Sequence, residues 1–345
     1  MKTMQHATRG CRLFAIVAVF SVSGGAPRAS LAQVPRTYVL IVTGASGEPK
    51  FANEYRTQAT ALRTAAVQVF GLPDSLITYL SEDPSRDPGV VRGRSTKEGV
   101  EQAFENIAAR AHRGDQVFIL FLGHGSSQGS DSRFNVPGPD LSGADFLGLL
   151  GKLSAQQVAF VDASNSSGDL VKQLAGPNRI VITATKSGFE GNETLFGKHF
   201  ITALASTGAD TDKDGRVSLL EAFLYARREV QREYEQSNRL QTEHAMLDDD
   251  GDGVGHSDAS EKGPDGRAAR GFFLGAASDV SPNVANDPRA AQLLATRQEL
   301  QSRVDSLRAL RSGMKEEDFQ RALEPLLLKL AETNQALRAL ESRKP

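Results

Sequence analysis

The sequence predicts an α/β fold built on a mainly parallel sheet covered by helices on both faces. Three observations carry this. Unbroken apolar runs recur along the chain, as in Tyr38-Val39-Leu40-Ile41-Val42, Phe118-Ile119-Leu120-Phe121-Leu122 and Val158-Ala159-Phe160-Val161. Such runs are strands buried on both faces. Segments with helical spacing lie between them, and strands alternating with helices imply a parallel sheet. Polar residues with chemical potential collect just after the strand ends, where sheets of this class hold their sites.

Each element follows from local signals. The first strand, residues 38–42, ends at Thr43-Gly44. Residues 53–70 place Leu62, Ala65, Val69 and Phe70 at helical spacing and stop at Gly71-Leu72-Pro73. Residues 76–80 form a short second strand. Ser95 or Thr96 caps the next helix, with Glu98 and Glu101 in its first turns, and that helix runs to about residue 112. The third strand, 117–122, leads into His124. A polar, glycine-rich stretch (125–138) reads as a loop, and 142–153 as a helix. The fourth strand is 158–161, followed by a short helix at 170–174 and a fifth strand at 179–184. Residues 193–207 and 217–238 read as helices around an acidic loop. Residues 244–270 read as irregular, and Gly271-Phe272-Phe273-Leu274-Gly275 as a last edge strand.

The N-terminal segment reads as a secretory signal peptide, with basic Lys2, Arg9 and Arg12, an apolar stretch over 13–22, and a small-residue cleavage site at Ser30-Leu31-Ala32. The apolar stretch is too short to span a bilayer. Removal of residues 1–32 leaves 36 basic against 42 acidic residues, a net charge of −6, and removes the single cysteine, Cys11. The exported chain then has neither disulfides nor thiol chemistry. An acidic balance argues against a nucleic-acid partner and is compatible with calcium. Tryptophan is absent and aromatics are few, which argues against carbohydrate stacking.

Two strand-end motifs stand about forty residues apart: Gly123-His124-Gly125 after one apolar strand, and Asp162-Ala163-Ser164-Asn165-Ser166-Ser167-Gly168 after the next. On these motifs residues 36–275 resemble the caspase–legumain superfamily of cysteine peptidases, including metacaspases and gingipains. The resemblance implies a caspase-haemoglobinase-like three-layer sandwich. It implies His124 as general base, the residue at the cysteine position as nucleophile, and the amides of Gly125 and Ser164 as oxyanion hole. It also implies Asp162 as part of an acidic pocket for a basic side chain; the other reading of Asp162 is a turn residue bonding the loop behind it. The departure is the nucleophile. Ser164 stands at the cysteine position, or Asn165 if the motif slips by one, and Ser166 is the second hydroxyl. A thiol near pKa ~8.5 forms an ion pair with His alone, whereas a serine needs a well-oriented base.

Asp210-Thr211-Asp212-Lys213-Asp214-Gly215-Arg216-Val217-Ser218-Leu219-Leu220-Glu221 fits an EF-hand calcium loop. Ligands fall at Asp210, Asp212 and Asp214, the Arg216 carbonyl and a bidentate Glu221, with Gly215 at the sharp turn. The other reading is a solvated acidic turn capping the helix that follows. Asp248, Asp250 and Asp252 begin a second such loop, but its twelfth position is Ala259; Asp258 or Glu261 offers a substitute carboxylate.

The chain is therefore expected to divide into a signal peptide (1–32), a caspase/legumain-like domain with the EF-hand-like loop (36–278), a linker (279–289) and a helical, coiled-coil-like tail (290–345). The tail carries two apolar stripes, Leu293, Leu300, Val304 and Leu307, then Phe319, Leu323, Leu326, Leu330 and Leu337, broken at Gly313. These read as a helical hairpin, either a solvated appendage or a self-association element. The functional expectation is an exported, periplasmic or extracellular peptidase homologue impaired by loss of its cysteine. It would be stabilised by calcium and bind a peptide or protein. The alternative is an active endopeptidase using Ser164 with His124, preferring a basic residue before the cleaved bond.

Overall fold

The computed structural model describes residues 35–275 and 314–341, with isolated positions between 289 and 307. The signal peptide and residues 279–288 of the linker lie outside the described residues; of the first tail stripe, Leu300 and Val304 are buried and Leu293 and Leu307 half-buried.

A seven-stranded sheet has the order β10-β9-β8-β4-β1-β2-β3. Its strands are β1 (Thr37–Thr43), β2 (Ile77–Ser81), β3 (Gly93–Arg94), β4 (Gln116–Leu122), β8 (Gln157–Asp162), β9 (Arg179–Thr183) and β10 (Met246–Asp248). All neighbours pair in parallel except β10, which runs antiparallel to β9. The expected α/β architecture is therefore the observed one. Strand residues alternate between two cores, as a two-residue side-chain period requires. Val39, Ile41, Phe118 and Leu120 meet α1 (Pro49–Gln68), α5 (Phe196–Ala205) and α6 (Leu219–Gln236). Leu40, Val42, Ile119, Phe121 and Phe160 meet α2 (Lys97–Arg110), α3 (Gly143–Gly151) and α4 (Leu170–Leu174).

Helix starts follow their caps. Thr96 accepts the Gly99 amide, and Ser142 and Asp145 form a reciprocal capping box on α3. α1 begins at Pro49, earlier than the apolar spacing suggests, because proline suits the first turn where no amide partner is needed.

Two expectations are corrected. The stretch 125–138 holds a hairpin rather than only a loop: β5 (Gly125–Gln128) and β6 (Asp131–Phe134), extended by β7 (Leu141–Ser142) into a three-stranded antiparallel sheet. Its polar residues hid it, although Phe134 is fully buried against Phe121. The edge strand is β10, inside the stretch read as irregular. Phe273 makes only an isolated bridge to Ser218. A short helix, α7 (Arg267–Arg270), follows. The second tail stripe lies on α8 (Glu316–Glu341), with Phe319 and Leu337 buried while Leu327 and Leu328 are exposed. Among the described residues no helix is long and apolar enough to cross a membrane.

Candidate functional site

Strand order reverses between β1 and β4, since the chain lays β2 and β3 on one side of β1 and then places β4 and β8 on the other. A crevice at the carboxyl ends of such strands is where this architecture positions chemistry. His124 follows β4, and the 162–168 motif follows the adjacent β8. Helix α1 leaves the end of β1 and supplies the wall.

His124 is held from α1. Its Nε2 lies 3.2 Å from the Tyr55 hydroxyl, and the Phe51 ring meets it edge-on at 4.7 Å. Burial, then the carboxylates of Glu193, Glu54 and Glu82, hold the Tyr55 phenol well above its ordinary pKa. It therefore stays protonated and able to donate. With the phenol donating, Nε2 accepts and the ring proton sits on Nδ1. Neither Tyr55 nor Phe51 was legible beforehand, because α1 reads as a core helix and nothing in its spacing points to β4.

The crevice beside His124 is bordered by Glu54, Tyr55, Gln58, Ala163, Asn165, Glu193 and Thr194. Asn165 is half-buried there, while Ser164 and Ser166 are 1% and 4% exposed. The Ser164 hydroxyl donates to the Asn165 carbonyl at 3.2 Å. Of the two possible placements of the motif, the structure brings Asn165, not Ser164, into the His124 crevice. Ser166 is the turn residue, in the left-handed region at φ 56°, with its amide bonded to the Glu190 carbonyl.

The two amides expected to form an oxyanion hole are both engaged. Gly125 N–H donates to Asn165 Oδ1 at 3.0 Å, and Ser164 N–H donates to Asp162 Oδ1 at 2.8 Å. Asp162 is fully buried, and its Oδ1 is engaged by the amide of Ser164 in the turn that follows it. The side chain lies on the α3/α4 face of the sheet, below the turn. Its Oδ2 has no partner, and burial pushes the carboxyl up to about 6 against the Ser164 bonds.

A loop from β9 to α5 closes the rim. Glu190 accepts the Lys186 and His244 amides and the His244 ring N–H at 2.5 Å. Glu243, 1% exposed, accepts the Leu195 and Phe196 amides at the start of α5. Burial pushes its carboxyl up to about 7, with the Glu190 charge adding to the effect. The residues 239–245 thus latch the rim and run directly into β10.

The acidic loops share one geometry. In the first, Asp210 Oδ2 accepts the Gly215 amide, Asp212 Oδ1 the Asp214 amide and Asp214 Oδ1 the Arg216 amide. In the second, Asp248 Oδ2 accepts Gly253, Asp250 Oδ1 accepts Asp252, and Asp252 Oδ1 accepts Val254. The fourth and sixth positions are left-handed in both, at Lys213 and Gly215 (φ 58° and 90°) and at Gly251 and Gly253 (φ 83° and 78°). Carboxylate oxygens of Asp210, Asp212 and Asp214 lie within 4.8 Å of one another, as do those of Asp248, Asp250 and Asp252. Burial and neighbouring carboxylates push Asp214 and Asp248 up to about 6. Glu221 bonds the backbone of the first loop, accepting the Asp212 amide at 3.3 Å. It accepts the Ser218 and Thr211 amides and closes the capping box of α6.

In the second loop the equivalent carboxylate is Asp265. Its Oδ1 accepts the Asp249 amide at 2.8 Å, as Glu221 accepts the Thr211 amide at 2.8 Å; each is the amide of the loop's second residue. Asp258 is exposed and Glu261 pairs with Arg270, so neither expected substitute takes that place. The Arg216 guanidinium stacks over the Phe273 ring at 3.8 Å. Asp265 escaped detection because it lies beyond the twelve-residue window of the motif.

No family model and no curated protein matches this chain. Among solved structures it is similar to the crystal structure of drICE, at 10% identity and a TM-score of 0.37, over 59% of this chain and 86% of that chain.

Proposed function

We propose that this chain is an exported caspase/legumain-like peptidase homologue that does not cleave peptides and instead binds a peptide or protein in the His124 crevice, with calcium stabilising the fold. One observation carries the reading: of the two backbone amides that would receive a reacting carbonyl oxygen, the Ser164 amide donates to the fully buried Asp162 and the Gly125 amide to Asn165, so a peptide that displaced Asn165 would regain only one of the pair. Such donors normally supply the largest stabilisation of the transition state in acyl transfer. The absence of any thiol after residue 32 and the burial of Ser164 support the same reading. The basic–apolar–small order of the first 32 residues supports export. Leu327 and Leu328, exposed on α8 beside the buried stripe, support self-association.

Chain 33–345 with saturating calcium is expected to leave fluorogenic peptides bearing Arg, Lys, Asn or Asp before the scissile bond intact, while retaining a subset of a labelled peptide pool. Turnover that disappears in Ser164→Ala would establish the serine endopeptidase instead.

Asp210, Asp212, Asp214 and the Arg216 carbonyl would hold one calcium ion, with Glu221 completing the set by releasing its capping bonds. Asp248, Asp250 and Asp252 would hold a second, with Asp265 in the place of Glu221. Sites of the extracellular kind bind at about 0.1–1 mM. Raising calcium from zero to ~10 mM is then expected to stabilise by about 1.5–3 kcal/mol per filled site. Scanning calorimetry in calcium and in EDTA reads this. Asp212→Ala and Asp250→Ala should each remove part of the shift, and equal melting in both buffers rejects the role.

A further inference from the structure

Asn165 does more than border the crevice. Its carboxamide is a peptide group in miniature, and it is used as one. Oδ1 accepts the Gly125 amide at 3.0 Å, and Nδ2 donates to the Gly125 carbonyl at 3.0 Å and to the Gly191 carbonyl at 3.0 Å. Exchange of both an N–H and a C=O with one partner is how residues pair across an antiparallel ladder. Gly125 opens β5, an edge strand of the small sheet. The approach is close enough that a Cβ on Gly125 would lie 2.1 Å from the Asn165 carbonyl oxygen. Asn165, the one half-buried position between two buried serines, borders the crevice and covers this strand edge, with the buried Gly125 behind it.

We propose that Asn165 is a built-in gate: its carboxamide occupies, on Gly125, the amide and carbonyl that the main chain of an extended peptide uses, and such a peptide enters by displacing it. The inference rests on the peptide-binding reading of the crevice and concerns the regulation of that site. The ligand group is a main-chain amide, so side-chain selectivity arises elsewhere in the crevice. The entering amide restores the two bonds on Gly125, and the cost of displacement is the bond that Asn165 gives up to the Gly191 carbonyl.

Hydrogen–deuterium exchange at single-residue resolution tests the gate in chain 33–345. In Asn165→Ala the Gly125 amide is expected to exchange about tenfold faster, the effect of one lost hydrogen bond, with amides of β4 unchanged. Asn165→Asp keeps the acceptor and is expected to keep Gly125 protected, which separates loss of the bond from loss of the fold. Binding of a pool of fluorescein-labelled hexapeptides is measured on the same proteins, and Asn165→Ala is expected to bind about tenfold more tightly than the unaltered chain. An unchanged Gly125 amide, or equal peptide affinity in the two proteins, overturns the gate. A released Gly125 with no peptide captured by any variant overturns the peptide-binding reading itself.

Discussion

Phe121→Ala is expected to destabilise the domain by about 3–5 kcal/mol, the range for truncating a fully buried aromatic. The Phe121 ring meets Phe134 and Phe146 edge-on at 4.9 Å each and Phe160 at 5.4 Å, and all four are fully buried. These rings join β4, β6, α3 and β8 beneath the crevice. The loss therefore combines transfer free energy, a cavity and broken ring pairs. At about 2–4 °C per kcal/mol for a domain of this size, the melting midpoint should fall by roughly 10 °C. Val69→Ala, at a position 60% exposed, should stay within about 0.5 kcal/mol and serves as control. The local consequence reaches function. Phe121 lies three residues before His124, and Phe134 is the residue paired with Gly125 in the hairpin. Equal denaturant midpoints for Phe121→Ala and Val69→Ala would sink this account of the core.

The second large effect is with pH. Asp162 and Glu243 are pushed up to about 6 and about 7 by burial, from ordinary values of 3.8 and 4.5. Both bind their proton more tightly folded than unfolded. Stability therefore rises as pH falls through the folded values, and the gain is complete below the unfolded ones. Between pH 8 and 5.5 the calcium-free chain is expected to gain about 1 kcal/mol from Asp162 and about 2 kcal/mol from Glu243 by this linkage. Carboxylates held low by ion pairs or amides, such as Asp87 and Asp145, oppose this only at more acid pH. Urea titrations across that window measure the slope. Asp162→Asn and Glu243→Gln keep an acceptor for the Ser164, Leu195 and Phe196 amides and should each flatten it. A double variant with the slope of the unaltered chain would show that other groups carry the proton uptake.

The parallel sheet was legible because its strands are buried on both faces. A run such as Phe118-Ile119-Leu120-Phe121-Leu122 has no other inexpensive environment. The hairpin at 125–134 was not, since only Phe134 and Ser132 turn inward and a polar strand pairs through its backbone, which sequence does not display. β10 was hidden for a similar reason. Its three residues, Met246, Leu247 and Asp248, are too short for a period, and their pairing with β9 is a long-range choice.

By itself the sequence determined the α/β class, His124 at the end of a central strand, a single cysteine at residue 11, and two acidic loops that begin alike. Each depends on a periodicity or on residue types within one short window. Only the tertiary structure decided which motif residue enters the crevice, that Asp162 faces inward, that Tyr55 holds His124, and that Asp265 stands for Glu221 in the second loop. These are contacts between distant segments. A shift of one residue at the end of β8 exchanges the buried Ser164 for the half-buried Asn165, and that outcome is set by which backbone amides and carbonyls the folded neighbours leave to be satisfied.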